Sequence, residues 1–348
     1  MKAWEWHNLP DSSLDTALPR TRVPGNPGTR IGAWNGLAAD LRTNRLYTAS
    51  NGGHADYAGN EVCEIDLSVD KPRWRVLLEP SPPEAIRKSS VGRGEFHDYY
   101  ADGRPASTHT YYGLQFLASH NAIFRFGAGS LWGSGNEANW KTDAFSLDRQ
   151  DWQPAGTWPD VVPGSRKGVI GRSVCLNPDT DEVYVAAPQE IRRFDPREGR
   201  YSTLARWPQN SYAVYARACA VDTDRNRVVF FGDAYKKPDG GFAYDVRSGR
   251  LEEIRFTGDG ASEIVKANHD FAWYDPRTRR FLLKTRTGAE VFAIDAADFS
   301  VRRVATAGGE QMPDATNGVH TRWQRLPRLG GFAYYPRYRS GIWFLATE

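Results

Sequence analysis

Short apolar runs alternate with polar turns along most of the chain, and several of them share one pattern. Each copy has an apolar strand, a polar turn rich in Asp, Asn and Arg, and a second apolar strand. Six copies occur, four clear and then two weaker, beginning at Gly36, Ser173, Ala218, Phe271, Gly113 and Gly331. Repetition of one such unit every few tens of residues is typical of a propeller or another repeat architecture.

Two further strand-like runs usually follow each copy. They lie at 62–67 and 74–78, 144–147 and 152, 191–194 and 201–204, 242–244 and 251–254, and 291–294 and 301–304. Four antiparallel strands per unit are the signature of a β-propeller blade. Because a single sheet of this size cannot bury both of its faces, packing the sheets in a ring is the stable arrangement. The sequence therefore predicts an all-β fold, one domain over residues 1–348, built as a β-propeller with six countable blades.

The last unit has only two strands before residue 348, which raises the question of how the ring closes. The N-terminal run 2–9, in which Trp4 and Trp6 alternate with polar residues, could supply the outer strand of that blade. A seventh blade could lie in 80–103 or in 307–327. Neither stretch alternates well, so we predict long loops in both places.

Composition narrows the class of function. The net charge is only +3 over 348 residues and the basic residues are dispersed, so nucleic acid is not an expected partner. No apolar run is long enough to cross a membrane, and no P-loop or dinucleotide fingerprint is present. The three cysteines, Cys63, Cys175 and Cys219, lie in apolar runs, and their odd number favours buried thiols over a disulfide framework. We expect a monomer.

Loops on one face of the predicted propeller collect the polar aromatic and cationic residues. First strands line the central channel, so the residues that enter them converge on its axis. Five of the seven histidines fall on this face, whereas His7 and His120 do not. A pocket rich in His, Arg and Tyr is the default site hypothesis. The candidates are His54, Tyr57, Asn60, Arg104, His109, Tyr111, Tyr112, Trp132, Arg172, Tyr215, Arg217, His269, His320 and Arg322.

Two segments on this face resemble a known group of proteins. Gly53-His54-x-x-Tyr57-x-Gly59-Asn60-x-Val62 and Asp102-Gly103-Arg104-Pro105-x-x-x-His109-x-Tyr111 resemble segments of kelch and galactose-oxidase-like propellers. That architecture also occurs in polysaccharide lyases that act on uronic-acid glycans, such as ulvan lyases and rhamnose–glucuronate lyases. Those lyases have seven blades rather than six. The resemblance implies catalysis by His, Tyr and Arg near the channel mouth, on an anionic polysaccharide or oligosaccharide outside the cytoplasm.

Lyase chemistry suggests a role for each type of residue. Elimination from a uronate removes a proton beside a carboxylate, so a cation must stabilise the developing negative charge. Arg217 or Arg172 would bind the carboxylate, His54 and His109 would transfer protons or neutralise charge, and Tyr111 or Tyr215 would complete the acid–base pair. The other candidates would bind substrate.

Other functions stay open at this stage. A non-catalytic carbohydrate- or protein-binding propeller could stack sugars on Trp132, Trp140 and the neighbouring tyrosines. A glycoside hydrolase would need a pair of carboxylates, and none stands out. A copper radical site is disfavoured because the cysteines lie inside strands. No cofactor is expected, although a structural calcium or zinc ion held by loop histidines or by Asp233 and Asp239 stays open. The N-terminus lacks the apolar core of a signal peptide, so an extracellular or periplasmic location requires a signal removed from this chain, and a cytoplasmic one stays open.

Overall fold

Six four-stranded antiparallel sheets make up the fold of the computed structural model. The structure describes residues 2–127, 129–135, 137, 139–166, 170–208, 216–231 and 240–348. Innermost strands of successive sheets contact one another, so the sheets pack as blades around a central channel. The predicted all-β propeller of six blades is confirmed.

The strands of the first three blades follow one another along the chain from the channel outwards, after an N-terminal strand that belongs to the last blade. They are β1 (Glu5–Leu9), then β2 (Ala38–Asp40), β3 (Arg45–Ala49), β4 (Val62–Asp66) and β5 (Arg75–Leu78) of blade 1, β6 (Leu114–Leu117), β7 (Ala122–Phe126), β8 (Thr142–Ser146) and β9 (Asp151–Trp152) of blade 2, and β10 (Val174–Leu176), β11 (Val183–Ala186), β12 (Glu190–Asp195) and β13 (Arg200–Arg206) of blade 3.

The remaining blades repeat this order. They comprise β14 (Cys219–Asp222), β15 (Arg227–Phe230), β16 (Gly240–Asp245) and β17 (Arg250–Arg255) of blade 4, β18 (Phe271–Asp275), β19 (Arg280–Lys284), β20 (Val291–Asp295) and β21 (Val301–Arg303) of blade 5, and β22 (Trp323–Leu326), β23 (Gly331–Tyr334) and β24 (Ile342–Ala346) of blade 6.

Helices are short and lie in the connections between strands. Within the described residues, no helix is long and apolar enough to span a membrane. The helices are α1 (Thr29–Gly32) and α2 (Ala261–Lys266), with 3-10 turns at Leu14–Thr16, Pro83–Ala85, Val91–Arg93, Ala118–His120, His320–Arg322 and Pro327–Leu329.

The N-terminal strand closes the ring, as predicted. β1 pairs with β24 over five residues from Glu5 opposite Ala346 to Leu9 opposite Ile342, and it forms the outer edge of blade 6. Trp6 is buried, with its ring 5.8 Å from the ring of Trp323. This contact joins the outer strand of the blade to its innermost strand.

The prediction that 307–327 is entirely loop was wrong. β22 lies in this stretch and is the innermost strand of blade 6, whereas the weak copy at Gly331 supplies the second and third strands. Trp323, Gln324 and Leu326 of β22 are all buried, so this strand does not show the alternation that marks a half-exposed strand.

The polar turn of the repeat has a local physical cause. In four blades an Asp at the end of the innermost strand, or an Asn directly after it, accepts a backbone N–H two or three residues later, as Asp40 does from Arg42 at 3.0 Å. The turn then needs one residue in the left-handed conformation, which Asn44 and Asn226 adopt with φ of 58° and 53°. Asn tolerates this conformation better than most residues. The repeat can therefore be recognised in the sequence from its turn as well as from its strands.

Two of the three cysteines form a disulfide, so the prediction of three buried thiols was wrong for this pair. Cys175 in β10 and Cys219 in β14 lie on innermost strands of adjacent blades, with their Cα atoms 5.5 Å apart. The ring packing brings together positions that are 44 residues apart in the sequence. Cys63 is the remaining free and buried cysteine.

Candidate functional site

A left-handed residue precedes the innermost strand of every blade, at the mouth of the channel. Backbone hydrogen bonds connect several of these residues across blades, such as Tyr111 N–H to the Trp34 carbonyl at 2.8 Å. A positive φ is strained for residues other than glycine, and residues with such strain cluster at functional sites. The six residues are Trp34, Tyr111, Gly171, Ala216, His269 and His320, with φ of 52°, 43°, 71°, 57°, 52° and 46°. Four of them carry large aromatic or imidazole side chains.

The His54 loop docks onto the neighbouring blade through its two glycines. A Cβ atom on Gly53, whose φ is +85°, would collide with the Ser130 carbonyl and the His109 amide. The exposed His54 donates from Nδ1 to the Ser134 carbonyl oxygen at 2.6 Å. Because a carbonyl only accepts, Nδ1 carries the hydrogen and Nε2 keeps its lone pair. The Gly-Gly-His motif therefore presents an imidazole of fixed tautomer at the mouth.

His109 lies beneath this loop and is paired with Asp56. Its Nε2 donates to Asp56 Oδ2 at 2.8 Å, and the side chains are 4% and 30% exposed. The carboxylate fixes the tautomer with hydrogen on Nε2 and leaves the lone pair on Nδ1. Among the described residues, Nδ1 has no hydrogen-bond partner. His109 can therefore accept a proton at Nδ1.

The imidazole and phenol rings form a continuous row across the mouth. Ring centroids are 6.0 Å apart from His54 to His109, 5.9 Å from His109 to Tyr111, and 6.3 Å from Tyr111 to His269. His320 lies below Tyr111 and His269, and its Nε2 is 3.1 Å from His269 Nδ1. The structure thus brings together the candidates from the connections into blades 2, 5 and 6.

Burial keeps these histidines neutral. Burial lowers the pKa of His109 below its usual value, against the opposing effect of the Asp56 carboxylate. Burial and the nearby Arg286 charge lower the pKa of His269 to about 4. The pKa of the fully buried His320 also lies well below its usual value, chiefly because of burial. At neutral pH the centre of the row therefore consists of uncharged imidazoles beside Tyr111.

Two exposed cations flank the row. Arg286 lies in the loop between β19 and β20, and its side chain has no ion-pair or hydrogen-bond partner among the described residues. Lys88 lies on the other side, with Nζ 5.7 Å from the ring centroid of Trp132 and no carboxylate partner in the described part of the chain. Both charges are therefore available to an anionic ligand.

Three predicted arginines lie deeper than these cations. Arg217 is fully buried, and its Nε donates to Asp270 Oδ2 at 3.2 Å. Arg172 is 4% exposed and donates from Nη1 to the Ala187 carbonyl. Arg322 is fully buried and donates to the carbonyls of residues 316, 319 and 336, and burial lowers its pKa to about 10. All three are buried in the channel wall, and Nη1 and Nη2 of Arg217 have no hydrogen-bond partner among the described residues.

Other predicted substrate-binding residues also hold the loops together. Asn60 is 1% exposed, and its side-chain amide bonds Ser81 and the Pro105 carbonyl. The carbonyl of the buried Tyr57 accepts from Gly53 N–H and Ser107 Oγ. Arg104 is half-buried away from the row, where Nη1 donates to the Glu79 carbonyl at 3.3 Å.

The remaining candidates differ in their distance from the row. The ring of the fully buried Tyr112 lies 5.2 Å from the His320 ring. Trp132 is 8% exposed and forms a β-bridge with His54. Tyr215 lies outside the described residues, as do Asp233 and Asp239. His120, on the opposite face, packs its ring against Phe124 and Trp158.

Three site residues were absent from the predicted set. Asp56 lies in the His54 loop, but its pairing with His109 depends on how two loops dock. Arg286 could have been predicted, because it lies between the second and third strands of blade 5, the position that His54 occupies in blade 1. Lys88 had none, since it lies in a long connection without regular structure.

Metal binding has no support in this arrangement. Within the ranges that the structure describes, no group of three or more His, Cys, Asp or Glu side chains could hold a metal ion. His269 and His320 instead contact each other edge to face, at an interplanar angle of 71°.

Comparison of the chain with protein-family models and with curated proteins finds no match. The assignment of the fold and of the candidate site therefore rests on the sequence pattern and on the geometry described above.

Proposed function

We propose that this protein is a polysaccharide lyase that cleaves a uronate-containing anionic glycan by β-elimination. One observation carries the proposal: Tyr111 lies between two neutral imidazoles, those of His109 and His269. Each imidazole has one nitrogen held by a partner, Asp56 or His320. Such a constellation supports proton transfer near neutral pH without a metal.

In this proposal His109 is the base and Tyr111 the acid. His109 Nδ1 is buried at rest, so substrate binding has to open access to it; its lone pair then takes the proton from the carbon beside the carboxylate. The electron pair of that C–H bond forms the new carbon–carbon double bond, and the bond to the glycosidic oxygen breaks. Tyr111 donates its hydroxyl proton to that oxygen, and solvent exchange restores both groups. Asp56 keeps His109 in the required tautomer and stabilises its charged form.

The uronate carboxylate requires a cation, and Arg286 meets that need better than Arg217 or Arg172. Arg286 is exposed, lies close enough to His269 to lower its pKa, and has no carboxylate partner among the described residues. Arg217 already bonds Asp270, and both of these side chains are fully buried. A planar guanidinium can bind a carboxylate through two parallel hydrogen bonds, which would also orient the sugar.

A non-catalytic carbohydrate-binding propeller is the alternative that a specific observation favours. His109 and Tyr111 are each 3% exposed, so a ligand at rest on this surface would contact chiefly His54, Asp56 and Arg286. Hydrolysis has less support, because the described row contains one partly exposed carboxylate, Asp56, and a glycosidase needs two.

An extracellular or periplasmic location forms part of the proposal. The Cys175–Cys219 disulfide supports it, since structural disulfides persist mainly in oxidising compartments.

A panel of uronate polysaccharides followed by ultraviolet absorbance tests the proposal. β-Elimination leaves an unsaturated, absorbing end on each product. We expect absorbance to rise with at least one polysaccharide, and to be lost in His109→Ala and Tyr111→Phe but retained in His120→Ala. Binding without absorbance across the panel would establish the binding module instead, and new reducing ends without absorbance would indicate a hydrolase.

A further inference from the structure

We propose that the channel mouth binds a polyanionic glycan lengthwise across its diameter, with one anionic unit on Lys88 and another on Arg286. This inference rests on the proposed function, because it names the substrate class of the same site. It adds that recognition requires charges on units on both sides of Tyr111, rather than on the reacting unit alone.

The topology places the two ends of the row on opposite sides of the ring. Tyr111 enters the innermost strand of blade 2, and His269 enters that of blade 5, three blades away in a ring of six. Their rings nevertheless stack at 6.3 Å, so the row crosses the centre of the mouth instead of following its rim. The row from His54 to His269 includes three successive ring-to-ring steps of about 6 Å. That path is longer than a single sugar ring, so a ligand that covers it has several units.

Lys88 marks one end of this path. It lies in the connection between blades 1 and 2, and its stem packs against Gly133, whose amide bonds the His54 carbonyl. The Ser89 amide bonds the Trp132 carbonyl at 2.9 Å, which fixes this connection on the β7–β8 loop. A groove of about 580 Å³ runs between Lys88 and Ser134, the residue that bonds His54. The stem of Lys88 is thus fixed against the loop that carries Ser134, and Glu95 lines the same groove.

Arg286 marks the other end. A groove of about 470 Å³ is lined by Arg286, Lys266, Asn268 and Thr285, directly beside His269. Three carboxylates also line this groove: Arg303 forms ion pairs with Glu263 and Glu290, and Asp314 accepts the Gly288 amide at 2.8 Å. None of them forms an ion pair with Arg286 among the described residues, so its guanidinium is not engaged by a neighbouring carboxylate.

The two cations are matched in position, and among the described residues neither forms an ion pair with the carboxylates that line its groove. Arg286 lies in the second-to-third loop of blade 5, and Lys88 is fastened to the corresponding loop of blade 2. A neutral glycan would use neither charge. A glycan with one terminal uronate would use one of them, whereas a chain with recurring negative charges would use both. A ligand with recurring negative charges would therefore account for a cation at each end of the row, Lys88 and Arg286.

Isothermal titration calorimetry with uronate oligomers tests this inference independently of catalysis. The probes are oligogalacturonides and hyaluronan oligomers of two to eight units, titrated into Tyr111→Phe protein so that they are not consumed. Lys88→Ala and Arg286→Ala are compared with Lys71→Ala and Arg247→Ala, which remove exposed cations from turns on the opposite face.

For long oligomers we expect each site variant to lower affinity by up to about fivefold, as one exposed ion pair contributes up to about 1 kcal/mol. The double variant should lose roughly the product of the two factors, because distant sites add. For the shortest oligomers only one of the two variants should matter. The control variants should bind as the parent does.

The lengthwise arrangement would be overturned if neither variant changed the affinity, or if only one of them did so at every oligomer length. Absence of binding to every oligomer would overturn it together with the lyase proposal. Length-dependent binding without ultraviolet absorbance in the wild-type protein would retain this inference and remove the lyase.

Discussion

We expect acid to destabilise this propeller because its channel histidines are buried in their neutral form. The pKa of His269 gives the size of the expected loss in the free energy of unfolding. Its pKa is about 4 in the folded protein, because of burial and the charge of Arg286, against an ordinary value of 6.5. The unfolded chain therefore binds the proton more tightly than the folded protein does. Stability contributed by neutral His269 is fully present above pH 6.5 and is lost as the pH falls towards 4. Each pKa unit is worth about 1.4 kcal/mol, so the loss approaches about 3 kcal/mol.

The assay is urea unfolding followed by tryptophan fluorescence at a series of pH values between 7.5 and 4.5. His269→Asn removes the titrating group while keeping a residue that tolerates the left-handed backbone. We expect the wild-type free energy of unfolding to fall by about 2.5 kcal/mol more than that of the variant over this range, which ends above the folded pKa of His269. His120→Asn, on the opposite face, serves as the matched control. Because carboxylates titrate in all three proteins, only the difference between the curves counts. Parallel curves for wild type and His269→Asn would refute the reasoning.

Four further predictions concern other contacts. Asp56→Asn should lower the rate of glycan cleavage by about 10-fold or more, because a charge-assisted hydrogen bond contributes about 1.5–3 kcal/mol. An unchanged rate would exclude His109 as the base. Arg217→Ala should lower the free energy of unfolding by about 3–5 kcal/mol, since it leaves the buried Asp270 without its partner, and a fully stable variant would show that this pair is dispensable. Deleting residues 2–10 should lower the melting temperature and promote aggregation through the exposed edge of blade 6, whereas an unchanged melting temperature would argue against closure by β1. Cys175→Ser should cost about 4 kcal/mol by the loop-entropy relation, measured by urea unfolding of the non-reduced protein, and a cost near zero would mean that the bridge does not form in solution.

The repeat could be predicted from the sequence because it is local. Asp40 and its equivalents bond the turn that follows them, so each copy carries its own signal. β22 was missed for the opposite reason. Three of its four residues are buried by neighbouring strands, which removes the alternation that identifies a strand. Its place in the blade depends on strands that lie elsewhere in the chain.

The candidate site, too, could be predicted from the sequence only in part. The sequence pattern placed His54, His109, Tyr111, His269 and His320 on one face, and the structure brings them into contact. The pattern identifies the loop in which a residue lies but not how deeply its side chain is buried. The sequence therefore could not separate a fully buried arginine such as Arg217 from an exposed one such as Arg286, since that difference depends on partners from other blades.

Closure of blade 6 by both ends of the chain has a consequence for biosynthesis. Asn8 of β1 lies close to Ser340, and these residues are separated by 332 positions. On the ribosome β1 emerges before every other strand of the propeller, whereas its partner β24 is the last of these strands to be made. The first strand must therefore wait unpaired while blades 1 to 5 assemble, and the ring can close only after translation has passed residue 346. The strand that contains Trp6 therefore stays unpaired until all the other strands of the propeller have been made.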